Sequence, residues 1–262
     1  MSDQQRYYTT QLQAGLGLID ETKQLLEVYQ PGMSVPGLYD AALASGRFPL
    51  VTARRLRNIV VECFAPRYLR SVGVASQLQR LAGRLSGPEL VQLFFLYTAR
   101  ANQVFADFVR EVFWSRYTAG RNELELEDAR TFVGNSVREG KTRKPWSDIT
   151  VKRISSYLIG CCVDYGLLTV TGRHKRSLAP YRIQPKVAVY LAYELRFSGL
   201  GDNHIVSHPD WTLFGLEPHD VRDQLKRLSL QGHLIFQAAA DVVHIGWTYK
   251  TMEDMIDVIA QG

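Results

Sequence analysis

"TVKRISSYLIGCCVDYGLLTVTGRHKRSLAPYRI", residues 150–183, opens on two cations, turns apolar, and breaks into a basic tetrapeptide before returning to apolar residues. Val151, Ile154, Leu158, Cys161 or Cys162, and Tyr165 recur at helical intervals, which predicts a helix over 150–165. Thr150 is its expected N-cap and Gly166 the residue that stops it. "LLTVT" and "YRI" then read as two strands around "GRHKRSLAP". Upstream, the acids of "AGRNELELEDAR" suit the start of a helix over about 126–139. The basic connector "GKTRKPWSD" follows, where Pro145 forbids continuous helix. Helix, basic turn, helix, hairpin is the order of a winged helix-turn-helix. In that arrangement the second helix enters the major groove by its N-terminal end.

The chain then repeats this order. A helix over 185–198 precedes "HPDWTLFGLEPHDVRDQLKRLSLQG", where Pro218 suits a first helical turn and Val221, Leu225 and Leu228 face inward. "HLIFQ" and "VVHIGWTY" form a hairpin around "AAAD", and the capping-box string "TMED" opens a last helix. The second hairpin holds no Lys or Arg, so protein contact or self-association is expected of it.

Before residue 122 the pattern is helical. Leu12, Leu16, Ile19, Leu25 and Val28 predict one helix from residue 9, and a short helix follows over about 34–45. A third starts after Thr52, with Leu56, Ile59, Val60, Cys63 and Phe64 on one stripe. Helices near 74–86 and 89–117 complete the set, and Phe94, Phe95, Phe105, Phe108, Phe113 and Trp114 read as a bundle core. The expected fold is mainly α: an N-terminal helical bundle (1–122) with a helix-turn-helix-like, Arg-rich element, then winged-helix-like units over 123–184 and 185–262.

Charge is segregated. Residues 47–84 hold eight arginines against Glu62 alone, and residues 141–186 hold ten Lys and Arg against Asp148 and Asp164. The whole chain is only +5, so the remainder is acidic. Two cationic zones in an otherwise acidic chain are the footprint of a nucleic-acid surface. The polar start "MSDQQRYYTTQ" and the interrupted apolar runs predict no signal peptide and no membrane span, hence a cytoplasmic protein.

Motifs for other chemistries fall short. Cys63, Cys161 and Cys162 offer no C-x-x-C pair, and the vicinal two read as small core residues. His204 and His208 lack further ligands and precede Pro209, so no metal is expected. "GNSVREGKT" (134–142) has five residues between its glycines where a phosphate-binding loop needs four, and it follows a helix. "GLG" at 15–17 has no partner strand and carries no expectation. Asp128 with Glu139 and Lys141 imitates a nuclease metal site, but such carboxylates must converge from adjacent strands. No enzyme activity, cofactor or small-molecule substrate is expected.

The expected contacts are with double-stranded DNA. Lys152 and Arg153, beside Ser155 and Ser156, would approach the groove, with Arg173, His174, Lys175 and Arg176 at the wing tip. Lys141, Arg143 and Lys144 would meet phosphates from the connector, and Arg54, Arg55 and Arg57 would form a second contact region. Binding is expected to be salt-steep and weakly sequence-selective.

"PWSDITVKRISSYLIGCCVDYGLL" and "HPDWTLFGLEPHDVRDQLKRLS" resemble the BrxA family of bacteriophage-exclusion (BREX) defence systems. "YYTTQLQAGLGLIDETKQLL" and "VVHIGW" fit the same family, so the resemblance spans nearly the whole chain. It implies a mostly helical accessory protein that binds double-stranded DNA without established catalysis, in a multi-gene system that methylates host DNA and blocks phage replication. A likeness drawn between the family and an RNA-binding antitermination factor keeps RNA open as a ligand. An adaptor binding other BREX subunits is the third possibility.

Overall fold

The computed structural model describes residues 7–171, 175–240 and 242–261; Arg173 and His174 lie outside the described residues. The chain divides by packing into two units. One joins residues 1–79 with 94–181, the other 80–93 with 182–262. Mainly helical structure is found, with two small antiparallel hairpins. No helix among the described residues is long and apolar enough to cross a membrane.

The helix predicted from residue 9 does not form as one piece. A 3-10 turn at Gln11–Ala14 gives way to a loop, and helix α1 begins only at Ile19 and runs to Val28. The loop is "GLG", and Arg67 accounts for its shape. The Arg67 guanidinium, 6% exposed, donates to the carbonyls of Gly15 (3.2 Å), Leu16 (2.9 Å) and Gly17 (3.3 Å). A buried cation must be satisfied, and here three backbone dipoles do so. A helix would have spent those carbonyls internally. Gly17 also donates its N–H to Asp164 at 2.8 Å, and a Cβ at position 17 would lie 2.6 Å from that of Asp164. "GLG" thus has a structural part, as the loop that receives Arg67.

Helix α2 (Val35–Ala44) has Ser34 as its N-cap; α3 (Ala53–Asn58) has Thr52, and continues as a wider π-helical stretch, Ile59–Leu69. The predicted stripe of Leu56, Ile59, Val60, Cys63 and Phe64 is buried. Helices α4 (Val74–Ala82) and α5 (Gly87–Ala101) follow. The long helix predicted to residue 117 breaks at Asn102, which is extended and donates its side-chain amide to Thr98 O. It resumes as α6 (Gln103–Phe108), a π-helical turn (Val109–Phe113) and α7 (Trp114–Thr118). Phe94, Phe95, Phe105, Phe108 and Phe113 are all buried, as a bundle core requires, and Tyr165 packs between Phe95 and Phe105.

Helix α8 (Leu126–Arg138) opens with a reciprocal Glu125–Asp128 cap and packs against α9 (Asp148–Asp164). The hairpin is β1 (Leu168–Thr171) with β2 (Lys175–Leu178), so its second strand is "KRSL" rather than the predicted "YRI". The reason lies upstream: Leu124 donates to Arg176 O and Leu178 to Asn122 O, so residues 122–124 cover the outer edge of β2. Tyr181 and Ile183 are buried after the strand has ended.

In the other unit, Gln92 fixes the start of α10 (Pro185–Phe197) by donating to Arg182 O and accepting from Gln184 N. Val187 through Tyr193 are buried without interruption, so α10 is the central helix of this unit. Two pieces too short to show a period in sequence follow: α11 (Asp202–Val206) and a 3-10 turn, Trp211–Phe214. Helix α12 (Pro218–Leu230) starts at the expected proline. β3 (Leu234–Ala239) pairs with β4 (Val242–Trp247), from Leu234↔Trp247 to Ala239↔Val242. Here side chains replace a third strand: Asn203 and Asp202 accept from the N–H groups of Val243 and Ile245. The capping box is present at α13 (Met252–Gln261), where Thr251 and Asp254 bond reciprocally.

Candidate nucleic-acid interface

Helix α9 has two unlike faces. Ile154, Leu158, Ile159, Cys161 and Cys162 are buried, whereas Ile149, Lys152, Arg153 and Ser156 are exposed. These four stand at i, i+3, i+4 and i+7 and therefore form one outward stripe over the first two turns. The helix begins two residues earlier than predicted. Its N-cap is Ser147, whose hydroxyl accepts from Thr150 N at 3.3 Å. Among the described residues none forms an ion pair with Lys144, Lys152 or Arg153.

Ser155 does not belong to this surface. It is fully buried, and its hydroxyl donates to Val151 O at 2.7 Å. One residue along a helix is a rotation of about 100°, so Ser155 turns inward with Leu158 and Ile159 while Ser156 turns outward. Ser156 donates back to Lys152 O at 3.0 Å.

The connector between α8 and α9 is held by residues that sequence reasoning missed. Tyr8 N donates to Lys141 O (2.8 Å) and its phenol donates to Asp107 (2.8 Å). The Lys141 ammonium lies 5.9 Å from the Tyr8 ring, 3.4 Å from Glu139 and 3.8 Å from Glu111, so its charge is shared with two carboxylates. Arg143 is exposed, with its guanidinium 5.9 Å from the Tyr7 ring. Two aromatics at 7 and 8 give no periodic signal, and their partners lie about a hundred residues away or more.

The hairpin cations sit differently from expectation. Lys175 and Arg176 belong to strand β2 rather than to the turn. Lys175 pairs with Glu123 at 2.6 Å, and Arg176 is half-buried opposite Val170.

Arg54, Arg55 and Arg57 are exposed on α3, and Arg55 donates to Ala14 O. Arg55 also lines an open cleft of about 410 Å³ with Leu16, Leu18, Ile19, Asp20, Glu21 and Asp164. Asp164 ends α9; at 1.5 Å per residue it stands about 18 Å along the helix from Lys152. Arg55 therefore neighbours three carboxylates at the end of α9 remote from the exposed stripe. Burial raises the Asp164 carboxyl above its ordinary value, and Glu21 adds to this, against the lowering effect of the Gly17 N–H and Arg67. The Arg-rich zone also loses members to structure. Arg67 is interior, Arg47 pairs with Glu27 and Arg80 with Asp257.

The nuclease pattern does not assemble. Asp128 caps α8, accepting from Glu125 N and pairing with Arg116, while Glu139 lies about 16 Å further along the helix axis. No cluster of three His, Cys, Asp or Glu fit to hold a metal occurs among the described residues. "GNSVREGKT" lies at the end of α8, with no strand before it.

The family described as BrxA matches residues 6–194. No curated protein matches the chain. Among solved structures, an uncharacterized protein from Magnetospirillum magneticum is similar at 16% identity and a TM-score of 0.57, over 73% of this chain and 95% of that one. At that identity the likeness concerns fold alone.

Proposed function

Since the chain belongs to the BrxA family, which ties it to bacteriophage-exclusion defence, we propose that it is a non-enzymatic accessory protein binding double-stranded DNA. The reading treats α8, α9 and the β1–β2 hairpin as a winged helix-turn-helix, with residues 122–124 as the short strand that such units carry beside the wing. The observation that carries it is the exposed stripe of α9, where Lys152 and Arg153 stand together without an acidic partner among the described residues. Lys144 and Arg143 extend the cationic surface along the connector to phosphates. Arg54 and Arg57 make a second, weaker contact, and Lys141, Arg55 and Lys175, each engaged within the protein, contribute less.

A second reading, adaptor binding to other BREX subunits, is favoured for the C-terminal unit. Hairpin β3–β4 has no Lys or Arg and exposes Ile235 and Val242. Both functions fit in one chain, as a cationic unit for nucleic acid and a wing without Lys or Arg for protein.

The test is retention of random duplex DNA in a gel by the full chain and by Lys152→Glu/Arg153→Glu, with structured RNA of equal length as competitor. Retention by the parent, its loss in the variant and preference for duplex DNA are expected. Equal retention by both chains would remove α9 from the interface, and tighter RNA binding would replace the ligand.

A further inference from the structure

Resting on that reading, we propose that Ile149 is a specificity-determining residue that contacts the C5-methyl group of thymine in the major groove. A lone isoleucine on a mixed surface signals nothing. Ile149 differs in its position and its company. It is 66% exposed in the first turn of α9, one residue after Asp148 starts the helix. That turn favours carboxylates, because of the exposed N–H groups and the helix dipole. A β-branched apolar side chain there gains little burial and loses rotamer freedom. The residue is thus at odds with the local fold, which marks functional positions.

Its company identifies the ligand. Lys152 and Arg153 stand at i+3 and i+4, on the same side of the helix, and Ser156 at i+7 keeps the stripe low. A helix tip carrying an apolar group in front of two cations is suited to neither a protein core nor a phosphate rail. In a winged helix-turn-helix the N-terminal residues of the second helix meet base edges. Four different base-pair patterns face them there, and the thymine methyl is the apolar feature among them. The phosphate strands are left to Lys152, Arg153 and Lys144. Binding then remains largely backbone-directed but carries a preference for thymine.

The experiment compares two A·T-rich duplexes of identical sequence, one with thymine and one with deoxyuridine throughout, so that every register is covered. Binding of the parent and of Ile149→Ala is followed by fluorescence anisotropy at one salt concentration. Burying one methyl group corresponds to about a fourfold preference of the parent for thymine. Ile149→Ala, unchanged in circular dichroism, is expected to bind both duplexes alike. A parent indifferent to the methyl, or a variant that keeps the preference, overturns the inference while leaving DNA binding intact. A parent that binds neither duplex even at low salt overturns the DNA reading and this inference with it.

Discussion

Replacing Arg67 by methionine would leave the largely buried carbonyls of Gly15, Leu16 and Gly17 without their donor. The loss should be about 3 kcal/mol or more, seen as a lower urea midpoint. Asp164, which accepts from the Gly17 N–H of that loop, behaves differently. Its carboxyl titrates above the unfolded value, so the folded chain holds the proton more tightly. Its ionisation therefore works against folding above the raised pKa, and this cost fades as pH falls towards the ordinary carboxylate value. Asp164→Asn keeps an acceptor for Gly17 N–H without the charge. The variant should be more stable than the parent at neutral pH, with the difference shrinking on acidification, as thermal melts across pH would record. The three thiols are buried, and burial pushes that of Cys161 up to about 12. A thiol reagent should therefore meet little reaction until denaturant is added. Sequence could place these cysteines in a core from helical period alone. It could not place Arg67 there, because an arginine reads as surface until the carbonyls that satisfy it, fifty residues earlier, are known.

At the scale of elements, α9 was legible because its apolar period is unbroken and because Gly166 and the proline before it bound it. The split between Ser155 and Ser156 was not, since two adjacent polar residues look alike until the helix phase is fixed by what packs on it. The hairpin register was also hidden. "YRI" is the more strand-like string, but "KRSL" has a partner edge in residues 122–124. These assignments separate in a binding assay. Lys152→Glu/Arg153→Glu should weaken duplex DNA binding by more than tenfold at low salt with an unchanged melting temperature, because four units of charge change on an exposed face. Ser155→Ala should leave binding unaltered. Lys175→Ala, which removes a cation already paired with Glu123, should weaken it only slightly.

For the whole molecule, charge segregation in sequence predicts a nucleic-acid surface, and the structure reduces the number of cations free to form one. Of the arginines between 47 and 84, Arg67 is interior and Arg47 and Arg80 are paired with acids. The packing into two units, with residues 80–93 joined to the C-terminal part, was not legible, because it depends on contacts such as Gln92 with Arg182 and Gln184. The resemblance to BrxA was legible from a few strings and is matched over residues 6–194. What remains decisive is whether the α9 stripe itself displaces counterions from a duplex. The measurement is the slope of log affinity against log salt for the parent and for Lys152→Gln/Arg153→Gln. A steep parent slope that falls by about 2 in the variant, roughly 0.9 for each phosphate contact removed, is expected. Equal slopes, or a parent insensitive to salt, would contradict it.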